Sequence, residues 1–201
     1  MDDVVAISLF RHGLTEANKR HAYLGWSDSP LCQKAGRVER QYDFLFSSDL
    51  GRCLETAKML FPDNQPHPHS EFREMNFGAW EGKTYEDLKL DPEYQTWLAD
   101  PFSTKPPDGE SFKEFSERVD SGWKMVTDAI LSASLKKVAI VTHGGVIRTF
   151  LSKWAPEEMD FWDWQAHHGK GYELIWTQDG LRRGERCTSL REVPLTANQT
   201  G

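Results

Sequence analysis

Val4-Val5-Ala6-Ile7-Ser8-Leu9-Phe10-Arg11-His12-Gly13 is the stretch that decides the fold. A nearly unbroken apolar run, rich in β-branched side chains, stops abruptly at a cation, an imidazole and a glycine. A continuous run of this kind reads as a strand buried on both faces, which suits a parallel sheet better than an alternating pattern would. Residues 138–141 repeat the arrangement. They are Val-Ala-Ile-Val, they lead into Thr142-His143-Gly144-Gly145, and a helix is expected over 146–154. Ligands of open α/β sheets bind beyond the carboxyl ends of the strands. Both imidazoles are therefore expected on one rim of the sheet.

Working outward, residues 42–47 read as another strand. Asp49 is placed to cap a helix that runs to Leu60 and is closed by Pro62. A short helix is expected near Thr15, loop over 20–32, and a helix over 33–41. The three prolines within 61–71 mark a connection, with a short strand near Glu71. Helical pieces follow at 84–90 and 92–98, and a break at 100–110. Ser111 then caps a long helix whose Phe112, Phe115, Val119, Trp123, Val126 and Ile130 recur every three or four residues along one face. Strands are expected again at 172–177 and 188–193. Strands alternating with helices imply an α/β fold: a three-layer sandwich with a mostly parallel central sheet flanked by helices. A single domain over 1–194 is expected, with 83–110 as a helical insertion near the active site and 195–201 as a polar tail.

The composition narrows the function. A net charge of −7 argues against a nucleic-acid partner, which needs a basic footprint. No apolar run reaches membrane-span length, so no membrane partner is expected. Cys32, Cys53 and Cys187 form no C-x-x-C pair. They read as reduced thiols, and with no signal-peptide pattern at the start the expected location is cytoplasmic. Oligomeric state is not legible, and a homodimer stays an open expectation.

One histidine at a strand end reads as a cap. Two in matched contexts, one of them after an arginine, read as a site. Arg52 follows a strand and a loop to the same rim, so Arg11 and Arg52 form a candidate guanidinium clamp, a geometry that matches phosphate oxygens bidentately. A neutral imidazole can serve as nucleophile toward phosphorus, and the leaving oxygen then needs a proton. Arg73-Glu74-Met75-Asn76-Phe77-Gly78-Ala79-Trp80-Glu81-Gly82 offers Glu74 and Glu81 for that task, and spacing does not choose between them. His67-Pro68-His69 and His167-His168 lack a carboxylate or thiolate at metal-ligand spacing. They read as solvated loop histidines, and no metal and no cofactor is expected. The tryptophans Trp154, Trp162, Trp164 and Trp176 read as packing residues, with one of them open as a lining of the substrate mouth.

Arg11-His12-Gly13-Leu14-Thr15-Glu16-Ala17-Asn18 resembles the R-H-G-x-T-x-x-N signature of the histidine phosphatase (phosphoglycerate mutase-like) superfamily. The run from Ser47 to Ala57 resembles its S-S-x-L-x-R-x-x-x-T-A block, Glu74 to Gly82 its E-x-x-F-G-x-W-E-G block, and Thr142-His143-Gly144-Gly145 its closing T-H-G-G. Four blocks in the family's order are far more specific than R-H-G alone. The resemblance implies a phosphoglycerate mutase-like fold with His12 as the phosphorylated residue. It also implies Arg11, Arg52 and His143 around the phosphate, with Asn18 and the Gly144 amide assisting. It selects Glu74 as proton donor and leaves Glu81 as a brace.

The superfamily holds phosphatases and mutases. This chain is short where mutases carry an added segment, and Leu24 stands before Gly25-Trp26 where mutases carry a small hydroxyl residue. Leu24 and Gly25 are accordingly candidate substrate contacts, and hydrolysis of a small phosphorylated metabolite is the expected reaction. Residues 23–31 and 107–111 resemble α-ribazole phosphatases and broad-specificity bacterial relatives, which makes α-ribazole 5′-phosphate one candidate substrate. The alternatives are phosphoglycerate mutase activity and a non-catalytic member that binds phosphorylated ligands.

Overall fold

The computed structural model describes residues 4–32, 36–168 and 170–195. In chain order the elements are β1 (Val4–Arg11), α1 (Glu16–Lys19), β2 (Phe44–Ser48), α2 (Gly51–Leu60) and β3 (His67–His69). They continue with α3 (Tyr85–Leu88), α4 (Pro92–Ala99), α5 (Phe112–Ala133), β4 (Lys137–Thr142) and α6 (Gly144–Trp154). The last are β5 (Gly171–Thr177), α7 (Gln178–Arg182) and β6 (Ser189–Val193). Short 3-10 turns occupy Ser70–Phe72 and Gly78–Trp80.

The strands form one sheet in the order β3-β2-β4-β1-β5-β6. β1, β4, β2 and β3 pair in parallel, whereas β5 is antiparallel to both β1 and β6. One strand therefore opposes the rest, and the sheet is mostly parallel. The register sets Arg11 beside Thr142, so the two histidine-bearing ends finish level.

Alternate residues of the sheet feed two cores. Val5, Ile7, Leu9, Val138 and Ile140 pack with Phe115, Val119 and Val126 of α5 and with Ile147 and Phe150 of α6. Phe10, Leu45, Ala139 and Val141 pack with Cys53, Ala57 and Leu60 of α2. Helices on both faces of one sheet make the three layers, and two-sided burial is why these strands read as continuous apolar runs. Residues 83–110 carry α3 and α4 and hold a small core of Trp80, Leu88, Tyr94 and Trp97 against Tyr23 and Phe77.

Several local expectations need correction. Residues 36–41 are irregular rather than helical, and 33–35 of the expected helix lie outside the described residues. Asp49 does not cap α2: Leu50 holds that position without a side-chain bond. Asp49 instead takes Nε and Nη2 of Arg73 on its two oxygens, a bidentate pairing stronger than a cap. The short strand comes at His67–His69, before Glu71. It lies on the sheet edge, where a proline such as Pro68 is tolerated. Ser111 caps α5 as expected, in a capping box with Glu114. The polar tail beyond 195 lies outside the described residues.

Candidate active site

β1 and β4 deliver His12 and His143 to the same rim, and both are buried. Their ring centroids lie 5.1 Å apart. His12 is fixed by its Nδ1, 2.7 Å from the Gly13 carbonyl. A carbonyl only accepts, so Nδ1 carries the proton and the lone pair sits on Nε2. The turn is held in place by Thr56 of α2, whose hydroxyl accepts the Gly13 N–H and donates to the Arg52 carbonyl. Burial first, then the charges of Arg52 and Arg11, hold His12 well below its ordinary value of 6.5, so the ring is neutral near pH 7. His143 is lowered likewise, again mainly by burial.

Arg52 is fully buried in the first turn of α2. Its Nη1 donates to the Ser27 carbonyl and to Asp28, and its Nη2 to the Gly25 carbonyl and to Nδ1 of His143. His143 then carries its proton on Nε2, which lies 2.9 Å from the Ser48 hydroxyl. Arg11 reaches the Ala166 carbonyl through Nη1. The Nε groups of Arg11 and Arg52 are both buried, and among the described residues neither has a hydrogen-bond partner. Gly144 opens α6, whose amino end favours an anion. A Cβ at Gly144 would stand 3.3 Å from the Arg11 guanidinium carbon.

Glu74 and Glu81 separate clearly. The Glu74 carboxylate accepts the N–H groups of Met75 and Gly145, which seats it at the start of α6 on the rim that carries His143. Glu81 accepts four backbone N–H groups, from Gly25, Trp26, Ser27 and Phe77. It braces the loop whose carbonyls hold Arg52. Gly25 has both backbone groups committed, and a Cβ there would meet the Met75 carbonyl at 2.1 Å. The Leu24 side chain packs inward with Ala17 and Ala22. Both residues thus frame Arg52 in this structure. Asn18 lends its carboxamide oxygen to the capping box of α1, accepting the Thr15 N–H and hydroxyl.

Three supports escaped the reading of the residues. Arg118 of α5 donates to the carbonyls of Ser70, Glu71, Arg73 and Glu74 and is paired with Glu110, so it positions the Glu74 segment. Asp28 holds both the main chain and the guanidinium of Arg52. His168 is not a solvated loop residue: it is half-buried, its Nδ1 lies 2.8 Å from the His12 carbonyl, and its ring packs 5.3 Å from that of His12. Burial and the neighbouring Arg11 push it down to about 4. His67 and His69 likewise lie on β3, packed against Phe44 and Phe46. The doublet His167-His168 gave a sequence signal, but its reach to β1 depends on β5 returning beside that strand.

A cavity of about 280 Å³ lies among residues 37–41 and 61–64. Those residues precede β2 and follow α2, so it opens on the opposite rim from the histidines.

Residues 7–185 match the model of the Histidine phosphatase superfamily (branch 1). The chain is 29% identical over 158 residues to the adenosylcobalamin/alpha-ribazole phosphatase of Salmonella typhimurium, covering 72% of this chain and 77% of that one. It is 28% identical over 162 residues to the 2,3-bisphosphoglycerate-dependent phosphoglycerate mutase of Rhizobium etli, covering 70% and 76%. Among solved structures, the alpha-ribazole phosphatase from Shigella flexneri superposes with a TM-score of 0.82 at 24% identity, over 97% of this chain and 100% of that one, a likeness of fold.

Proposed function

The chain belongs to the histidine phosphatase superfamily (branch 1), and on that basis we propose that it is a metal-independent phosphomonoesterase working through a phosphohistidine at His12. The observation that carries the reading is the pinned, neutral His12, its Nε2 lone pair free, beside Arg11 and Arg52, whose buried Nε groups have no hydrogen-bond partner among the described residues. The substrate phosphate docks on Arg11, Arg52, His143 and the amino end of α6, with Asn18 and the Gly144 N–H assisting. Nε2 of His12 attacks phosphorus in line, the bond to the leaving oxygen breaks, and Glu74 gives that oxygen its proton. Water then attacks phosphorus, the P–N bond breaks, and Glu74 takes the proton from the water. Positioning and fixed positive charge do most of the catalytic work, as phosphoryl transfer requires.

The substrate is a small phosphorylated metabolite. α-Ribazole 5′-phosphate is one candidate, supported by the name of the Salmonella relative. Mutase activity is the competing reading, supported by the Rhizobium relative. The test is a rapid-quench turnover of a labelled phosphomonoester in EDTA. Alkali-stable, acid-labile phosphate on His12 is expected, with release of inorganic phosphate. Turnover without a phosphoenzyme would sink the covalent route, and efficient interconversion of phosphoglycerates would favour the mutase.

A further inference from the structure

Glu74 also contributes to the wall of a second space, one that phosphate docking does not use. Phe77, Phe112, Phe115, Phe161 and Trp162 line it together with Arg148, around a cavity of about 100 Å³. The rings interlock: Phe112 meets Phe161 at 5.2 Å, Phe161 meets Trp162 at 4.8 Å, and Phe102 meets Phe112 at 4.6 Å, all edge to face. Two of them remain in water, with Phe102 at 45% and Trp162 at 53% exposure. Large apolar rings held together but left open to solvent mark a binding surface more often than a core. The Arg148 guanidinium is tethered through Nε to the Trp164 carbonyl and lies 5.9 Å from the Trp162 ring, so a cation borders the rings.

The position of Glu74 says which part of a substrate reaches this space. Under the proposed mechanism Glu74 protonates the leaving oxygen, so the alcohol begins at its carboxyl, and the space walled by that carboxyl is the next place the alcohol goes. A short polar alcohol would find few partners among five rings. A flat ring would find edges and faces at contact distance. A closed apolar cavity of about 150 Å³ holds one benzene. This smaller and open space takes at most one ring, with any remainder of the alcohol outside.

We propose that this pocket is the leaving-group subsite and that it selects phosphomonoesters whose alcohol carries an aromatic ring. The proposal rests on Glu74 being the proton donor of the reaction described above. The test compares 2-phenylethyl phosphate with propyl phosphate. Both release primary alkanols of similar basicity, and only one brings a ring to the pocket. The expected result is a kcat/KM about tenfold or more higher for the phenylethyl ester, within the range one hydrophobic pocket supplies. In Trp162→Ala that ratio falls toward unity. A ratio taken on one protein preparation is insensitive to loss of folded enzyme. Equal kcat/KM values in the unsubstituted protein, or a preference that survives Trp162→Ala, would overturn the subsite while leaving the phosphatase reading intact. Hydrolysis of neither ester would overturn the phosphatase reading, and the subsite with it.

Discussion

Two buried charge clusters sit four residues apart along β1, and they are built on opposite principles. Beside Ser8, the carboxylate of Glu173 is buried and satisfied. It accepts from Arg40 and Arg191 and lies near the Ser8 hydroxyl, which in turn accepts from Tyr42. Beside His12, two arginines crowd two neutral histidines, and among the described residues each arginine keeps a buried N–H without a partner. A buried unpaired donor costs roughly 1–3 kcal/mol. The first cluster closes the sheet against the loop before β2. The second tolerates unfavourable burial and like charge at the rim where the proposed mechanism docks a phosphate. Under the proposed function, the difference separates a cluster that serves the fold from one that serves a ligand.

The sharpest way to break the comparison is at the nucleophile. His12→Ala should lower the turnover of a simple aryl phosphate by on the order of 10⁴-fold while leaving Tm near that of the parent protein. Initial rates and a melting curve on one preparation check both halves. A residual rate near normal would remove His12 from the chemistry.

The next test loads each cluster with an anion. Saturating inorganic phosphate should raise stability by about 2.7 kcal/mol at a hundred times its dissociation constant. Glu173→Gln should keep that shift although its baseline falls by roughly 1–2 kcal/mol, less than a fully buried pair because Arg40 and Arg191 are half exposed. Arg52→Ala should lose the shift. Thermal melts with and without phosphate read the contrast, and an equal phosphate response in all three proteins would abolish it.

The smallest effect concerns His168. His168→Ala should cut kcat by roughly 10- to 100-fold through loss of support for the His12 ring. It should also flatten the pH dependence of stability. His12, His143 and His168 all lie below 6.5 when folded, His168 at about 4. The unfolded chain therefore takes up protons first on acidification. Stability is fully present above pH 6.5 and declines as pH falls toward about 4. Melts at pH 7 and pH 5 should show that decline, shallower in the variant.

Much of this was legible in the residues. The apolar runs at 5–10 and 138–141 are buried on both faces, and such strands announce themselves because every position is constrained. His12 and His143 were legible for the same reason, since each lies one residue beyond such a run. Ser111 capped α5 because a capping box is local, closed within four residues. What failed was non-local. Asp49 gave up its cap to Arg73, 24 residues on. Glu74 and Glu81 could not be told apart by spacing, because Gly145 and the loop at 25–27 assign their tasks. His168 is 156 residues from the carbonyl it holds.

The antiparallel return of β5 has a further consequence, in time rather than space. β1 precedes the other five strands in chain order, yet its two neighbours are β4 and β5, which begin at Lys137 and Gly171. During synthesis β1 has no adjacent strand until most of the chain exists, and pairings so distant in sequence are slow to close. A nascent chain therefore carries Arg11 and His12 long before the strands that bury them exist, and the proposed phosphate site can be completed only late in assembly.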